Sequence, residues 1–150
     1  RRDGCGQRQW RRVRRHRRDL GQRLAGLRVL AAEDNMINQM VLREFLALEG
    51  ADCVMADGGA EAIECVMQQG EDRFDIVLMD IQMPGMSGYE ATRELHKLAP
   101  GLPVVGQTAH AMVEERIKCQ EAGMVDLVVK PIDLNVLVQT IQRRARPRTA

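Results

Sequence analysis

Residues 75–88 read DIVLMDIQMPGMSG. The apolar run over Asp75–Met79 has the composition of a strand covered on both faces, as in a parallel sheet. Met83, Pro84 and Gly85 behind it make a turn on their own. Asp80 is therefore a carboxylate at the end of a buried strand, at a point where the local chain does not need it as a turn former.

On both sides of that strand, short runs rich in Val, Ile and Leu alternate with stretches of helical period, the pattern of a parallel sheet with crossover helices. Upstream, Leu27–Ala31 reads as a strand. Met36–Leu48 reads as a helix on the spacing of Ile37, Met40, Val41, Phe45 and Leu48, stopped by Gly50. Asp52–Ala56 is a weaker strand, and Ala60–Gln69 a helix closed by Gly70. Downstream come a helix over Gly88–Leu98, a strand over Pro103–Gly106, a helix over Met112–Ala122 ended by Gly123, a strand over Asp126–Val129 and a last helix over Leu134–Arg144. Right-handed crossovers turn this order into a three-layer α/β sandwich whose ligand site lies outside the carboxyl ends of the strands.

The residues expected just beyond strands one, three, four and five are Glu33 and Asp34, then Asp80, Thr108 and Lys130. Three carboxylates gathered without a cation repel one another and raise their pKa values, so the cluster calls for positive charge. Mg²⁺ suits it, taking oxygen ligands in an octahedron and keeping several waters. Asp34 and Asp80 are expected in direct contact and Glu33 through water. Lys130 is a point charge able to pair with Asp80 or with a phosphoryl group on it. Thr108 offers a hydroxyl and Ala109 a backbone N–H to the same oxygens. Such a set can stabilise in-line transfer of a phosphoryl group onto a carboxylate, with Asp80 as the nucleophile. No P-loop or glycine-rich nucleotide loop is present, which points to a phosphorylated protein or small phosphodonor rather than ATP.

The segments AAEDN at 31–35, LMDIQMPGMSG at 78–88, QTAHAM at 107–112 and VVKPI at 128–132 together resemble the four signatures of response-regulator receiver domains, in order and over roughly residues 27–142. Four separated motifs in agreement are far more specific than any one. The resemblance implies a flavodoxin-like (βα)5 sandwich with strand order 2-1-3-4-5. It implies Asp80 as phosphoacceptor, Glu33 and Asp34 as the acidic pair, Gln82 as donor of a backbone carbonyl to Mg²⁺, Thr108 as switch hydroxyl and Lys130 as the family's lysine. It also implies a cis Lys130–Pro131 bond. The EDN and INQ runs within 33–39, with GQTAHAM and EAGM at 121–124, look most like receivers of hybrid sensor histidine kinases. The implied partners are a sensor histidine kinase and a histidine phosphotransfer domain, in a two-component phosphorelay. One departure stands out: three residues before Lys130 the family usually has an aromatic, and here it is Leu127. Gln107, where an aliphatic is common, puts a polar group near a strand end.

Composition sets the remaining bounds. The 150 residues are one domain's worth of chain, and 45% hydrophobic residues suffice for a single core. The net charge of +1 hides an asymmetry: residues 1–24 carry +8, residues 27–142 carry −11 and residues 143–150 carry +4. An acidic body argues against nucleic-acid binding by the folded part. The domain is expected over 27–144, preceded by an Arg-rich extension at 1–26 and followed by a basic tail at 145–150. Residues 9–24 have a faint amphipathic helical spacing, but ten arginines in 1–24 favour a disordered linker. Cys5, Cys53, Cys65 and Cys119 show no metal or disulfide spacing, and no apolar stretch is long enough to span a bilayer. A cytoplasmic setting, or the cytoplasmic portion of a membrane-bound kinase, follows, with no membrane contact by this chain itself; a dimer is allowed but not required.

Taken singly, Lys130 reads as a solvated surface lysine, Thr108 as a cap, and Met83, Met86 and Tyr89 as packing residues. His110 has the chemistry of a catalytic base or metal ligand, but a lone His on a loop is more often neither; His16 and His96 lack partners in sequence and read as surface residues. Two competing functions have different residue requirements. A HAD-like aspartyl-phosphate phosphatase generally needs a second Asp two residues after the nucleophile, where Gln82 stands. A degenerate receiver serving only as an interaction module would not need the full set of acids with Thr108 and Lys130.

Overall fold

The computed structural model describes residues 21–147. Five strands and five helices alternate: β1 (Arg28–Ala32), α1 (Met36–Leu48), β2 (Asp52–Ala56), α2 (Gly59–Gln69), β3 (Ile76–Asp80), α3 (Gly88–Leu98), β4 (Val104–Thr108), α4 (Val113–Ala122), β5 (Asp126–Val129) and α5 (Leu134–Arg144). The strands form one parallel sheet, as the alternation predicts, in the order β2-β1-β3-β4-β5 that the resemblance implies.

Alternating strand residues feed two apolar layers. On one face Leu30, Ala32, Val77, Met79 and Val104 pack with Val66, Ala91, Leu95, Cys119 and Met124 of α2, α3 and the α4 end. On the other, Val29, Ala31, Ile76, Leu78, Val105 and Val128 pack with Leu42, Leu46, Leu137, Val138 and Ile141 of α1 and α5. Every residue of β3 is buried, which explains why its sequence is continuously apolar rather than alternating.

Side chains that accept backbone N–H groups set three helix starts: Asn35 from Ile37 and Asn38, Ser87 from Glu90, and Asp133 from Val136. Gly123, at φ 103°, ends α4 in the left-handed region.

Three strand ends differ from the sequence reading. β1 runs to Ala32 rather than Ala31, and β3 and β4 run through Asp80 and Thr108 instead of stopping before them, because the ladders continue: Glu33 N–H donates to the Ala56 carbonyl at 3.0 Å, Ile81 N–H to the Gln107 carbonyl at 3.0 Å and Lys130 N–H to the Thr108 carbonyl at 2.7 Å.

A second difference lies at the entry to the fold. Residues 21–26, read from sequence as part of the extension, form a turn whose Leu24 is 1% exposed in the α1/α5 layer. Arg23 there grips the buried Glu49 carboxylate through Nη2 at 2.8 Å, Nε at 3.1 Å and its backbone N–H at 3.2 Å. The rest of the Arg-rich segment and residues 148–150 lie outside the described residues, as do Cys5 and His16. Cys53, Cys65 and Cys119 are free thiols. Among the described residues no helix is long and apolar enough to cross a membrane.

Candidate functional site

The carboxyl ends of β1, β3 and β5 bring Glu33, Asp34, Asp80 and Lys130 to one rim. Oxygens of the three acids all lie within 4.8 Å of one another, although 47 positions separate Glu33 from Asp80 in sequence. Lys130 Nζ sits between two of them, 3.0 Å from Glu33 Oε2 and 3.2 Å from Asp80 Oδ2. The Lys130–Pro131 peptide is cis.

Each acid is in a different environment. Glu33 is fully buried; besides Lys130 it accepts the Asn35 N–H at 3.2 Å and Asn38 Nδ2 at 3.4 Å on Oε1. Asp34 is exposed. Asp80 is 4% exposed, with the Gln82 N–H 3.3 Å from Oδ1. Burial first, and then the Glu33 charge, push the Asp80 carboxyl up to about 6, against the pull of Lys130. Burial opposes the Lys130 charge, but the Glu33 hydrogen bond and the two carboxylates outweigh it and raise that pKa.

The donor set fits a small hard cation. An octahedral Mg²⁺ with bonds of about 2.1 Å spans ligand oxygens roughly 3–4 Å apart, and oxygens of the three acids lie within 4.8 Å of one another.

Thr108 does not turn its hydroxyl to this cluster. Its Oγ1 lies 3.2 Å from Glu115 Oε1 in the first turn of α4 and 3.1 Å from the His110 carbonyl, while the His110 N–H donates to it at 3.1 Å. Ala109, next along the chain, is exposed at the end of β4, and Gln82 is exposed on the loop after β3. His110 is exposed and takes part through its backbone alone among the described contacts.

Leu127 packs against the α2/α3/α4 layer, and its Cδ1 would be 3.1 Å from a Cβ on Gly106, so the bare glycine makes room for it. Gln107 faces the opposite layer from Thr108, fully buried, and its amide oxygen and nitrogen have no hydrogen-bond partner among the described residues.

Sequence reasoning missed Glu115, Tyr89 and Gln39. Tyr89, read as a packing residue, does contact the apolar layer, but its hydroxyl also donates to Glu115 Oε1 at 3.2 Å. Burial above all, with the neighbouring Cys119 and Glu115, holds its phenol protonated well above the usual range. Gln39 Nε2 donates to the Glu33 carbonyl at 2.6 Å and to Asp57 Oδ1 at 2.8 Å, tying the β1 end to the β2 end. The usable signal for Glu115 was its place in the first turn of the helix that follows Thr108. For Tyr89 there was none, because its partner comes from another helix.

The family model for the response regulator receiver domain matches residues 29–142. Over 113 residues the chain is 39% identical to the sensor histidine kinase RcsC of Salmonella typhimurium, covering 75% of this chain and 12% of that protein. Over 132 residues it is 39% identical to the sensor protein GacS of Pseudomonas syringae pv. syringae, covering 83% of this chain and 14% of that one. The chain thus spans about an eighth of the length of these curated relatives.

Among solved structures, the receiver domain of a sensor histidine kinase from Pseudomonas aeruginosa PAO1, with a magnesium ion coordinated in its active site cleft, superposes at a TM-score of 0.72 and 34% identity, covering 79% of this chain and 97% of that one. The receiver domain of Ssk1, co-crystallised with the histidine phosphotransfer protein Ypd1 from Saccharomyces cerevisiae, gives 0.74 at 27% identity, covering 81% and 90%.

Proposed function

The chain belongs to the response regulator receiver domain family, and from that premise we propose that Asp80 is its phosphoacceptor and that Glu33, Asp34, Asp80 and the Gln82 carbonyl form the seat of a Mg²⁺ ion. The observation that carries this reading is the convergence of three carboxylates and one ammonium at the carboxyl ends of β1, β3 and β5. The bound ion supplies charge neutralisation and a template for the phosphoryl oxygens.

The chain's own groups do the rest. Asp80 attacks phosphorus, the bond from phosphorus to the donor imidazole nitrogen breaks, and an aspartyl phosphate forms as the imidazole leaves. Lys130, already 3.2 Å from Asp80, follows the new negative charge. Thr108 and the Ala109 N–H donate to the phosphoryl oxygens once the Thr108 hydroxyl turns from α4. Transfer of this kind depends on positioning and electrostatics, and the site offers both. A HAD-like phosphatase is not favoured: the residue two beyond Asp80 is Gln82, which cannot act as acid or base. A degenerate receiver is not favoured either, since the acids and Lys130 are assembled with short contacts.

The partner reading extends to proteins carrying a phosphohistidine. Such a donor has to reach the rim where α1 begins, and there Met36, Ile37 and Met40 are 76%, 71% and 58% exposed. These side chains offer an apolar face beside the acceptor of the kind an interaction site uses. The receiver unit in this reading is residues 27–144 together with the turn at 21–26 that packs on it, as the cytoplasmic portion of a larger, membrane-bound hybrid kinase.

The test is intact-protein mass spectrometry after incubation with acetyl phosphate and Mg²⁺. The wild-type chain gains one phosphoryl group that hydroxylamine removes, and Asp80→Asn gains none. A gain that survives in Asp80→Asn places the acceptor elsewhere.

A further inference from the structure

We propose that Glu115 is a positioning residue for phosphoryl transfer: its carboxylate holds the Thr108 hydroxyl turned away from the rim, and Tyr89 holds that carboxylate in place. The inference rests on the assignment of Asp80 as acceptor and Thr108 as the hydroxyl that serves the phosphoryl group.

A threonine hydroxyl has one proton. The backbone N–H of His110 already donates to Thr108 Oγ1, so that proton points either to the His110 carbonyl or to Glu115 Oε1. A hydrogen bond to a carboxylate is the stronger of the two. Thr108 is 3% exposed, so water does not offer an easy substitute.

The same Glu115 oxygen accepts the Tyr89 hydroxyl at 3.2 Å. Two donors from two elements, β4 and α3, therefore converge on one acceptor in the first turn of α4. Both contacts, at 3.2 Å, are longer than the 2.7–2.8 Å usual for O–H···O. Glu115 and Tyr89 are half-buried, which keeps the carboxylate near its donors.

For Thr108 to donate to a phosphoryl oxygen it must give up Glu115, and that loss opposes occupancy of the rim. Among the described residues Glu115 then keeps Tyr89 alone, so α4 loses this side-chain tie to the end of β4 and stays tied to α3. The rim and the start of α4 thus compete for a single proton.

The experiment measures binding of beryllofluoride with Mg²⁺, a phosphoryl mimic, by the full chain, alongside the Thr108 methyl resonance. In Glu115→Ala binding tightens by about five-fold, the scale of one lost hydrogen bond, and the ligand-free Thr108 methyl moves toward its position in the bound wild type. Tyr89→Phe, which leaves the ring packed, acts in the same direction and less strongly.

Removing a negative charge near an anion site could tighten binding without any role for Thr108, so the decisive arm repeats Glu115→Ala in a Thr108→Val background. There the affinity gain disappears. A gain of equal size in both backgrounds, or an unmoved Thr108 methyl, overturns the proposal, and an unchanged Tyr89→Phe removes Tyr89 from it. Failure of wild type to bind beryllofluoride at all refutes the acceptor assignment instead; the ligand-free Thr108 resonance of Glu115→Ala still decides the positioning role.

Discussion

Replacing Asp80 by Asn should stabilise the magnesium-free protein even as it removes the acceptor. In the fold, burial and the Glu33 charge raise the Asp80 carboxyl from 3.8 to about 6, so its ionised form is held at a cost. At about 1.36 kcal/mol per pH unit the ceiling is about 3 kcal/mol. The rim opens to water on one side, and Asn also gives up the attraction of Lys130 at 3.2 Å, so we reduce the expectation to about 1 kcal/mol. Lys130 keeps Glu33 at 3.0 Å and is not orphaned. For a domain of this size that gain is a rise in Tm of about 4 °C.

The pH dependence gives the idea a sharper edge. Between 3.8 and about 6 the folded chain keeps a proton that the unfolded chain has released, so stability falls as pH rises through that window. Above it the penalty is complete. The advantage of Asn should therefore be full near neutrality and shrink as pH drops toward about 4.5, where wild-type Asp80 is already protonated in the fold. Thermal unfolding of both proteins in EDTA at several pH values measures it. Millimolar Mg²⁺ should then raise the wild-type Tm and raise that of Asp80→Asn less. A lower Tm for the variant near neutrality, or a gain independent of pH, would refute the electrostatic account.

Other expectations are simpler to read out. A Cβ on Gly88 would overlap the Asp80 carbonyl oxygen and come within 2.8 Å of Ile81 Cα, both backbone, so Gly88→Ala should destabilise by about 2 kcal/mol or more in denaturant unfolding and slow phosphorylation by acetyl phosphate by displacing the β3 end. Gln107→Leu replaces a buried amide whose polar atoms lack partners with an apolar group of similar size; it should stabilise by about 1 kcal/mol, and a loss of stability would reveal a partner for that amide. Met40→Asp, on the exposed α1 face, should slow phosphoryl transfer from a phosphohistidine protein at least several-fold while leaving the acetyl phosphate rate unchanged; equal slowing of both rates would remove α1 from the partner surface.

Much of this molecule can be read directly along the chain. The helices over Met36–Leu48, Gly88–Leu98 and Leu134–Arg144 and the strands over Asp52–Ala56 and Asp126–Val129 coincide with their sequence boundaries, because apolar period and cap residues such as Asn35, Ser87 and Asp133 are local properties. The strands ending at Asp80 and Thr108 ran past their expected ends, since a ladder's length depends on what the neighbouring strand offers, here the Gln107 carbonyl to Ile81 and the Thr108 carbonyl to Lys130. The rim acids could be anticipated because the strand-end rule converts order in sequence into place in space.

Hydrophobic period and chain connectivity leave few arrangements, so the alternation of strands and helices, and with it the set of residues at the sheet's carboxyl edge, is written along the chain. The direction in which those side chains point is not. The Thr108 hydroxyl turns to Glu115 rather than to the acids, Tyr89 reaches the same oxygen from a different helix, Gln107 lies sealed without a partner among the described residues, and Arg23 folds back onto Glu49. Each of these depends on rotamers and on how helices rotate against the sheet, quantities set by close packing among distant segments and not by spacing along the chain.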